Sequence, residues 1–263
     1  MVKDKIGIFD SGIGGTSIWK EIHELLPFEN TIYLADSANA PYGIKTREEI
    51  VALSRKNTIK LLELGAKIIV VACNTATTNA IQELRTEFDV PFIGIEPAIK
   101  PAALKSKTKT IGILATKGTL SSQLFSKTSE LYTQDLKVIE VEGNGLVELI
   151  EAGKINSEEM DILLQHILIP FQEQALDYLV LGCSHYPYLI PKLRHFFSND
   201  ISIIDSGEAV ARQTKAVLEK LKILNTNFQQ KGECKFYTNT NPTVLQKIIN
   251  PEKEEFQVKQ KKF

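Results

Sequence analysis

Apolar residues fall along this chain in short unbroken runs, separated by longer stretches in which they return every three or four positions. The runs KIGIF, TIYLA, KIIVVA, PFIGI, TIGILA, KVIEV, DYLVLG and SIIDS read as strands. Several lack any polar alternation, as expected of strands in a parallel sheet buried on both faces. Between them lie helical patterns. Thr46 and Glu49 form a capping box ahead of REEIVALSRKNTIKLLEL, which stops at Gly65. The stretch SEEMDILLQHILIPFQEQAL reads as helix, kinked or divided at Pro170. CKFYT reads as a further strand, and the charged tail PEKEEFQVKQKKF as surface or frayed chain. This alternation predicts an α/β architecture with helices on both faces of parallel sheets.

The pattern also repeats. IGIFDSGIGGTSIWKEI, starting at residue 6, is matched by IGILATKGTLSSQLFSK at 111. IIVVACNTATTNAI, starting at 68, is matched by YLVLGCSHYPYLIPKL at 178. Each half offers a strand running into a turn, and later a strand running into a cysteine. Two similar α/β domains related by pseudo-symmetry follow, with the site in the cleft between them. The crossings are expected at EPAIKPAAL and DSGEAVA, giving residues 1–97 plus 208–263 as one domain and 98–207 as the other.

Composition narrows the partners. The 263 residues suffice for one large or two modest cores, and the formal net charge is -1. That balance gives no basic footprint for nucleic acid and no polybasic membrane patch. The opening MVKDKIGIFDSG has no signal-peptide pattern, and the run KIIVVAC is too short to span a bilayer. A soluble cytoplasmic protein is the expectation. Cys73, Cys183 and Cys234 are widely spaced with no CxxC, which argues against a disulfide framework and against a metal site.

Two stretches carry candidate chemistry. IGIFDSGIGG imitates a dinucleotide loop, with Gly12 and Gly14 between a strand and a helix and Asp36 near the place of a ribose-binding acid. Ser17 replaces the third glycine, however, and Asp10 at the strand end would repel a pyrophosphate. The glycines then serve as a tight turn into the first helix. The second signal is the pair Cys73 and Cys183. Each follows a strand and precedes a helical pattern, at the edge where open α/β sheets bind ligands. A helix N-terminus there would lower a thiol's pKa. Asn74, Thr75, Ser184 and His185 follow the two thiols and can bind a carboxylate. Tyr42, after Pro41, is expected to turn its backbone and hydroxyl to the cleft. A cysteine hydrolase would use one thiol and leave the second idle. Taking a proton from one face of a carbon and returning one to the other face uses both. Stereoinversion at a carbon acid is the chemistry this pairing suggests.

FDSGIGG, DSANAPYG, VVACNTAT, LGCSHYP and IDSGEAVA, in this order, resemble the glutamate racemase family of bacteria. The motifs run from residue 6 to about 212, and five in order are specific where one is not. The resemblance implies a cofactor-independent enzyme that interconverts L- and D-glutamate and supplies D-glutamate for peptidoglycan. It implies Cys73 and Cys183 as catalytic bases, the first acting on D-glutamate and the second on L-glutamate. Asp10 and His185 would set their protonation, one beside each thiol. Asp10, Ser11, Tyr42, Gly43, Asn74, Thr75, Ser184 and His185 match substrate-binding positions. Glu151 matches loosely an acid used by some members, and Asp36 is a candidate for orienting its loop. Ser184 stands where threonine is usual and keeps the hydroxyl, and Asn39 stands where arginine is common. Glutamate is the expected partner, with no nucleic acid and no membrane, and a homodimer is admitted. Aspartate racemisation, and amino-acid binding without turnover, are the alternatives.

Overall fold

The computed structural model describes residues 4–227, 229–250 and 256–263. Ten strands form two sheets, and every strand pair is parallel. The first sheet contains β1 (Lys5–Asp10), β2 (Asn30–Ala35), β3 (Ala66–Val71), β4 (Phe92–Gly94), β9 (Cys234–Thr238) and β10 (Val258–Gln260). The second contains β5 (Thr110–Ala115), β6 (Lys137–Glu142), β7 (Tyr178–Gly182) and β8 (Ser202–Ile204). The central strands are the unbroken apolar runs: Ile6, Ile8, Phe9, Ile68, Ile69, Val70, Val71, Ile111, Ile113 and Leu114 are fully buried. The two-sided burial that the pattern required is therefore present.

The two sheets share one strand order. It runs β2-β1-β3-β4 in the first and β6-β5-β7-β8 in the second, with β9 and β10 added outside β2. The internal repeat is thus a repeat of topology, pairing β1 with β5 and β3 with β7. Such an order changes direction between its first and third strands, and ligands collect at the carboxyl ends that flank this point. Residues 10 and 11 with Cys73 flank it in the first unit. Thr116 with Cys183 flank it in the second.

Local chemistry fixes the elements that matter for the site. Helix α1 (Thr16–Leu25) follows the glycine-rich turn. Helix α2 (Arg47–Glu63) starts with both bonds of the Thr46–Glu49 capping box, and the chain leaves it through Gly65 at φ 92°. Helix α3 (Asn74–Glu87) is capped by the Cys73 sulfur, which accepts the Ala76 N–H at 3.4 Å. Pro170 divides the long helical stretch into Glu158–Ile167 and Ile169–Gln172. The last helix of the second crossing, Gly207–Lys220, packs on α1, and Ser206 Oγ donates to the Glu96 carbonyl, so the two crossings are bonded to each other. One apolar cluster runs from Ile8 and Ile13 through Leu146, Leu149 and Ile150 to Leu181, joining the two units.

Of the two expectations for the tail, surface holds and fraying does not: the segment is exposed but paired. Val258–Gln260 extends the first sheet beside β9, because its backbone finds an edge strand to pair with. Residues 251–255 of that tail, and residues 1–3 at the other end, lie outside the described residues. No helix among the described residues is long and apolar enough to cross a membrane.

Candidate active site

The strand ends of the two units meet around one small cavity. It is lined by Ser11, Tyr42, Gly43, Cys73, Asn74 and Thr75 from the first unit, with Pro41, and by Thr116, Val147, Cys183, Ser184 and His185 from the second. Its free volume is about 10 Å³, room for about one water molecule. The two units are in contact around this cavity, which is too small for anything larger than water.

Both thiols reach this cavity from equivalent places, one residue or two past the ends of β3 and β7. Cys73 and Cys183 are buried, and neither is in a disulfide. Cys73 Sγ lies 3.6 Å from Ser11 Oγ. Its thiol is pushed up, not down as the helix N-terminus suggested. Burial dominates and the Asp10 carboxylate adds to it, while the Ala76 N–H and Ser11 oppose both. Burial in the cavity outweighs the two hydrogen bonds that favour the thiolate. Cys183 differs from the expectation in another way. The chain after it forms a single 3-10 turn, Tyr186–Leu189, and the α-helix begins only at Ile190. Pro187 and Pro191 remove N–H groups from these first turns, so Cys183 does not cap an α-helix as Cys73 does.

The partner that Cys183 has instead is His185, whose Nδ1 lies 3.8 Å from the sulfur. The ring's Nε2 lies 2.6 Å from Glu151 Oε1, and this carboxylate also accepts the Ile13 N–H at 2.6 Å. Burial alone would depress the imidazole's pKa. The bonds to Cys183 and Glu151 and the Asp10 charge override it and hold the pKa well above the usual histidine value. The Gly14 N–H also points at Nε2, 3.2 Å away, so the ring is fixed between the two units beside Cys183.

Asp10 is fully buried behind Ser11. Its Oδ1 accepts the Gly12 N–H at 2.8 Å, and its Oδ2 accepts the Ser184 hydroxyl from the other unit, also at 2.8 Å. Burial raises its pKa, against the lowering effects of His185, Ser184 and Gly12. Asp10 does not line the cavity, but its charge is felt at both Cys73 and His185. Ser184, taken as a substrate contact, has its hydroxyl committed to Asp10. Its carbonyl accepts from Ser17 Oγ at 2.9 Å.

Asn74 is the group most open to a ligand. Both Oδ1 and Nδ2 are buried without a hydrogen-bond partner, although unpaired buried amides are costly. Thr75 is 2.8 Å from Thr116 Oγ1, hydroxyl to hydroxyl across the cleft. Tyr42 lines the cavity with its hydroxyl turned away, contrary to expectation. It donates to Asp36 Oδ2 at 2.5 Å and accepts from Asn57 Nδ2 at 3.1 Å, because the buried Asp36 carboxylate is the stronger acceptor. Asp36 itself stays outside the cavity and holds the loop, and Glu151, also outside it, bonds His185 and the Ile13 N–H.

The glycines of the opening turn also have a different reason from the one expected. Neither Gly12 nor Gly14 has a positive φ. A Cβ on Gly12 would meet Glu151 Oε1 at 1.9 Å, and one on Gly14 would meet His185 Nδ1 at 2.2 Å. They are bare so that the second unit's acid and imidazole can lie against the first unit's backbone.

Sequence reasoning missed Thr116 and Val147. The repeat did hold a signal for the first, since aligning IGIFDS with IGILAT sets Thr116 opposite Ser11. Val147 lies in a stretch with no counterpart motif. Among the described residues no group of three or more His, Cys, Asp or Glu side chains is placed to hold a metal ion.

Residues 6–214 match the Asp/Glu/Hydantoin racemase family. The glutamate racemase of Herpetosiphon aurantiacus is 42% identical over 248 residues, covering 94% of this chain and 97% of that one. That of Pseudomonas aeruginosa PAO1 is 41% identical over 245 residues, covering 93% and 92%. A crystal structure of Escherichia coli glutamate racemase, in complex with L-glutamate and the activator UDP-MurNAc-Ala, superposes with a TM-score of 0.85 at 30% identity, covering 98% of both chains. With the match spanning both units and both thiol-bearing strand ends, the chain belongs to the Asp/Glu/hydantoin racemase family and is an isomerase.

Proposed function

We propose that this racemase interconverts L- and D-glutamate by a two-base mechanism, with no added cofactor. The observation that carries the reading is the pair of thiols, delivered to one cavity by topologically equivalent strand ends. On this reading one sulfur, as thiolate, takes the α-proton from one face of the bound amino acid. The other, as thiol, gives a proton to the opposite face, so that the proton count is conserved and the configuration inverts. Cys73 acts on D-glutamate and Cys183 on L-glutamate. The raised pKa of Cys73 suits it to be the proton donor when L-glutamate is bound, and His185 stands beside Cys183 as its polar partner.

A thiol's reference pKa of about 8.5 is far below that of an amino-acid α-proton, so the carbanionic character must be stabilised. The unpartnered Asn74 amide and the backbone N–H groups at the start of α3 are the available donors toward the substrate carboxylate. Thr75, Thr116, Ser11 and the backbone of residues 42 and 43 complete the binding surface. Closure on the substrate excludes water and strengthens each of these interactions. Relatives named glutamate racemase at about 40% identity over nearly the whole chain support glutamate as substrate. The same reading has the enzyme working in the cytoplasm, where thiols stay reduced, and supplying D-glutamate for peptidoglycan. It takes residues 1–97 with 208–263 as one domain and 98–207 as the other. The separation of the two sheets' strands between these ranges supports that division.

The test is incubation of the purified protein with L-glutamate, and separately L-aspartate, in D₂O without cofactor. Decay of the circular-dichroism signal of glutamate with one solvent deuterium at the α-carbon is expected. Thermal stabilisation by glutamate with no decay would make the protein a binding module, and decay with aspartate alone would change the substrate.

A further inference from the structure

The cavity wall contributed by Pro41, Tyr42 and Gly43 belongs to the 36–44 loop, which has no ladder of its own. It consists of two single 3-10 turns, Ser37–Asn39 and Tyr42–Ile44, joined through a cis Ala40–Pro41 peptide. Yet its backbone packs tightly against the other unit. A Cβ on Gly43 would meet Thr116 Cβ of the other unit at 2.9 Å. A side chain from the far end of the sequence is bonded to the start of this loop. Strand β9 pairs with β2 as far as the Thr238–Ala35 register. Beyond that last rung, Asn239 continues the pairing with its own groups. Its N–H donates to the Ala35 carbonyl at 3.4 Å, its Oδ1 accepts the Ala38 N–H at 2.8 Å, and its Nδ2 donates to Asp36 Oδ1.

Asp36 passes the constraint on. Besides Asn239 it accepts Asn39 Nδ2 at 2.7 Å and the Tyr42 hydroxyl at 2.5 Å. The Asp36 N–H donates to the Asp10 carbonyl at 3.1 Å, so the loop starts against the site's buried acid. Among the described residues every side-chain donor to this carboxylate is neutral, and Asn239 is the one that comes from outside the first 57 residues.

We propose that Asn239 is a positioning residue for the substrate. Its amide clamps Asp36 and Ala38, and so fixes the loop that forms one wall of the cavity. The role rests on the reading of this cavity as the amino-acid site. Asn239 touches no reacting atom, so its loss lets the loop sample other positions before binding. A binding-competent state that is populated only in part raises the apparent dissociation constant by that fraction. Loss of two side-chain hydrogen bonds, one to a carboxylate, should raise KM by at least about tenfold with kcat within about threefold.

The experiment compares wild type, Asn239→Ala, Asn239→Asp and the reciprocal pair Asp36→Asn with Asn239→Asp. Asn241→Ala, which removes only the local acceptor for Thr243, serves as control. KM and kcat for L-glutamate are measured with amide hydrogen exchange over residues 36–44. Asn239→Ala should raise KM and speed exchange in that loop alone. Asn239→Asp should do more, since it sets two carboxylates face to face. The reciprocal pair should regain loop protection relative to Asn239→Asp, by restoring one donor and one acceptor between the two positions. Unchanged KM and exchange in Asn239→Ala would overturn the proposal, as would faster exchange spread over the whole first sheet. If the wild type does not racemise glutamate, the functional reading fails, and exchange then decides the clamp. Loop-confined acceleration upholds it, and unchanged protection refutes it.

Discussion

Replacing Gly14 with alanine puts a methyl group where the His185 ring now lies. The added Cβ would stand 2.2 Å from Nδ1, 2.5 Å from Cγ and 2.6 Å from Cε1. Ordinary contact begins at about 3.4 Å, so ring and backbone must part by about 1 Å. The ring is 1% exposed and held by Glu151 on one side and Cys183 on the other. It can move only by leaving one of them, or the two units can stand apart by the same distance. Either response displaces the imidazole from Cys183 or the two thiols from each other. A misplacement of about 1 Å in a catalytic constellation is worth about a hundredfold in rate. Gly14→Ala should therefore lower kcat/KM about 100-fold in both directions, read as decay of the circular-dichroism signal from L- and from D-glutamate. Gly7→Ala is the contrast. Its Cβ would meet Ala66 Cβ at 2.8 Å inside the first sheet, away from the cleft. It should destabilise by about 1–3 kcal/mol and leave kcat near wild type. A Gly14→Ala enzyme within about threefold of wild type would refute the argument that this glycine is a docking surface for the imidazole.

The Glu151→Gln variant removes an acceptor that raises the His185 pKa, so the imidazole should lose its proton at lower pH. A histidine with a raised pKa stays charged to higher pH, so the alkaline limb of the activity profile should move to lower pH. An unmoved limb would mean that Glu151 does not set the charge of His185. Asp177 tests the second unit's scaffold. Burial, which raises its pKa, is outweighed by bonds from Ser106 Oγ and the Lys107 and Thr108 N–H groups, so the pKa is lowered. A lowered carboxyl stabilises above its unfolded value and loses that effect as pH falls through its folded value. Asp177→Ala should thus lower stability by about 1 kcal/mol at neutral pH, discounted for exposure, with the difference shrinking below about pH 4. Denaturant titrations showing the same gap at both pH values would contradict it.

The framework was readable in the sequence because it depends on runs and periods. All eight apolar runs became strands, and the repeat became a shared strand order; the central strands, buried on both faces, left the continuous apolar signature, while β6 and β8 at the edges are partly exposed. The thiols were found because they sit at the ends of such runs. What escaped depends on contacts between distant segments. Nothing near Gly12 or Gly14 announces Glu151 and His185, which come from the other unit. Tyr42 gave no sign that Asp36 would take its hydroxyl. The Cys73 thiol was expected to fall because the helix start is visible in the sequence, whereas the closed cavity that raises it exists only after the units meet. The charged tail hid β10 because a three-residue edge strand needs no apolar run when its neighbour supplies the ladder.

The central claim is that two sulfurs serve opposite faces of one carbon. The direct measurement is glutamate racemisation by Cys73→Ala and Cys183→Ala, each checked for an intact fold by thermal melting. Each variant should lose about a thousandfold or more of the wild-type rate from both enantiomers while melting within a few degrees of wild type. A folded variant of either kind that racemises glutamate at the wild-type rate would contradict the two-base account.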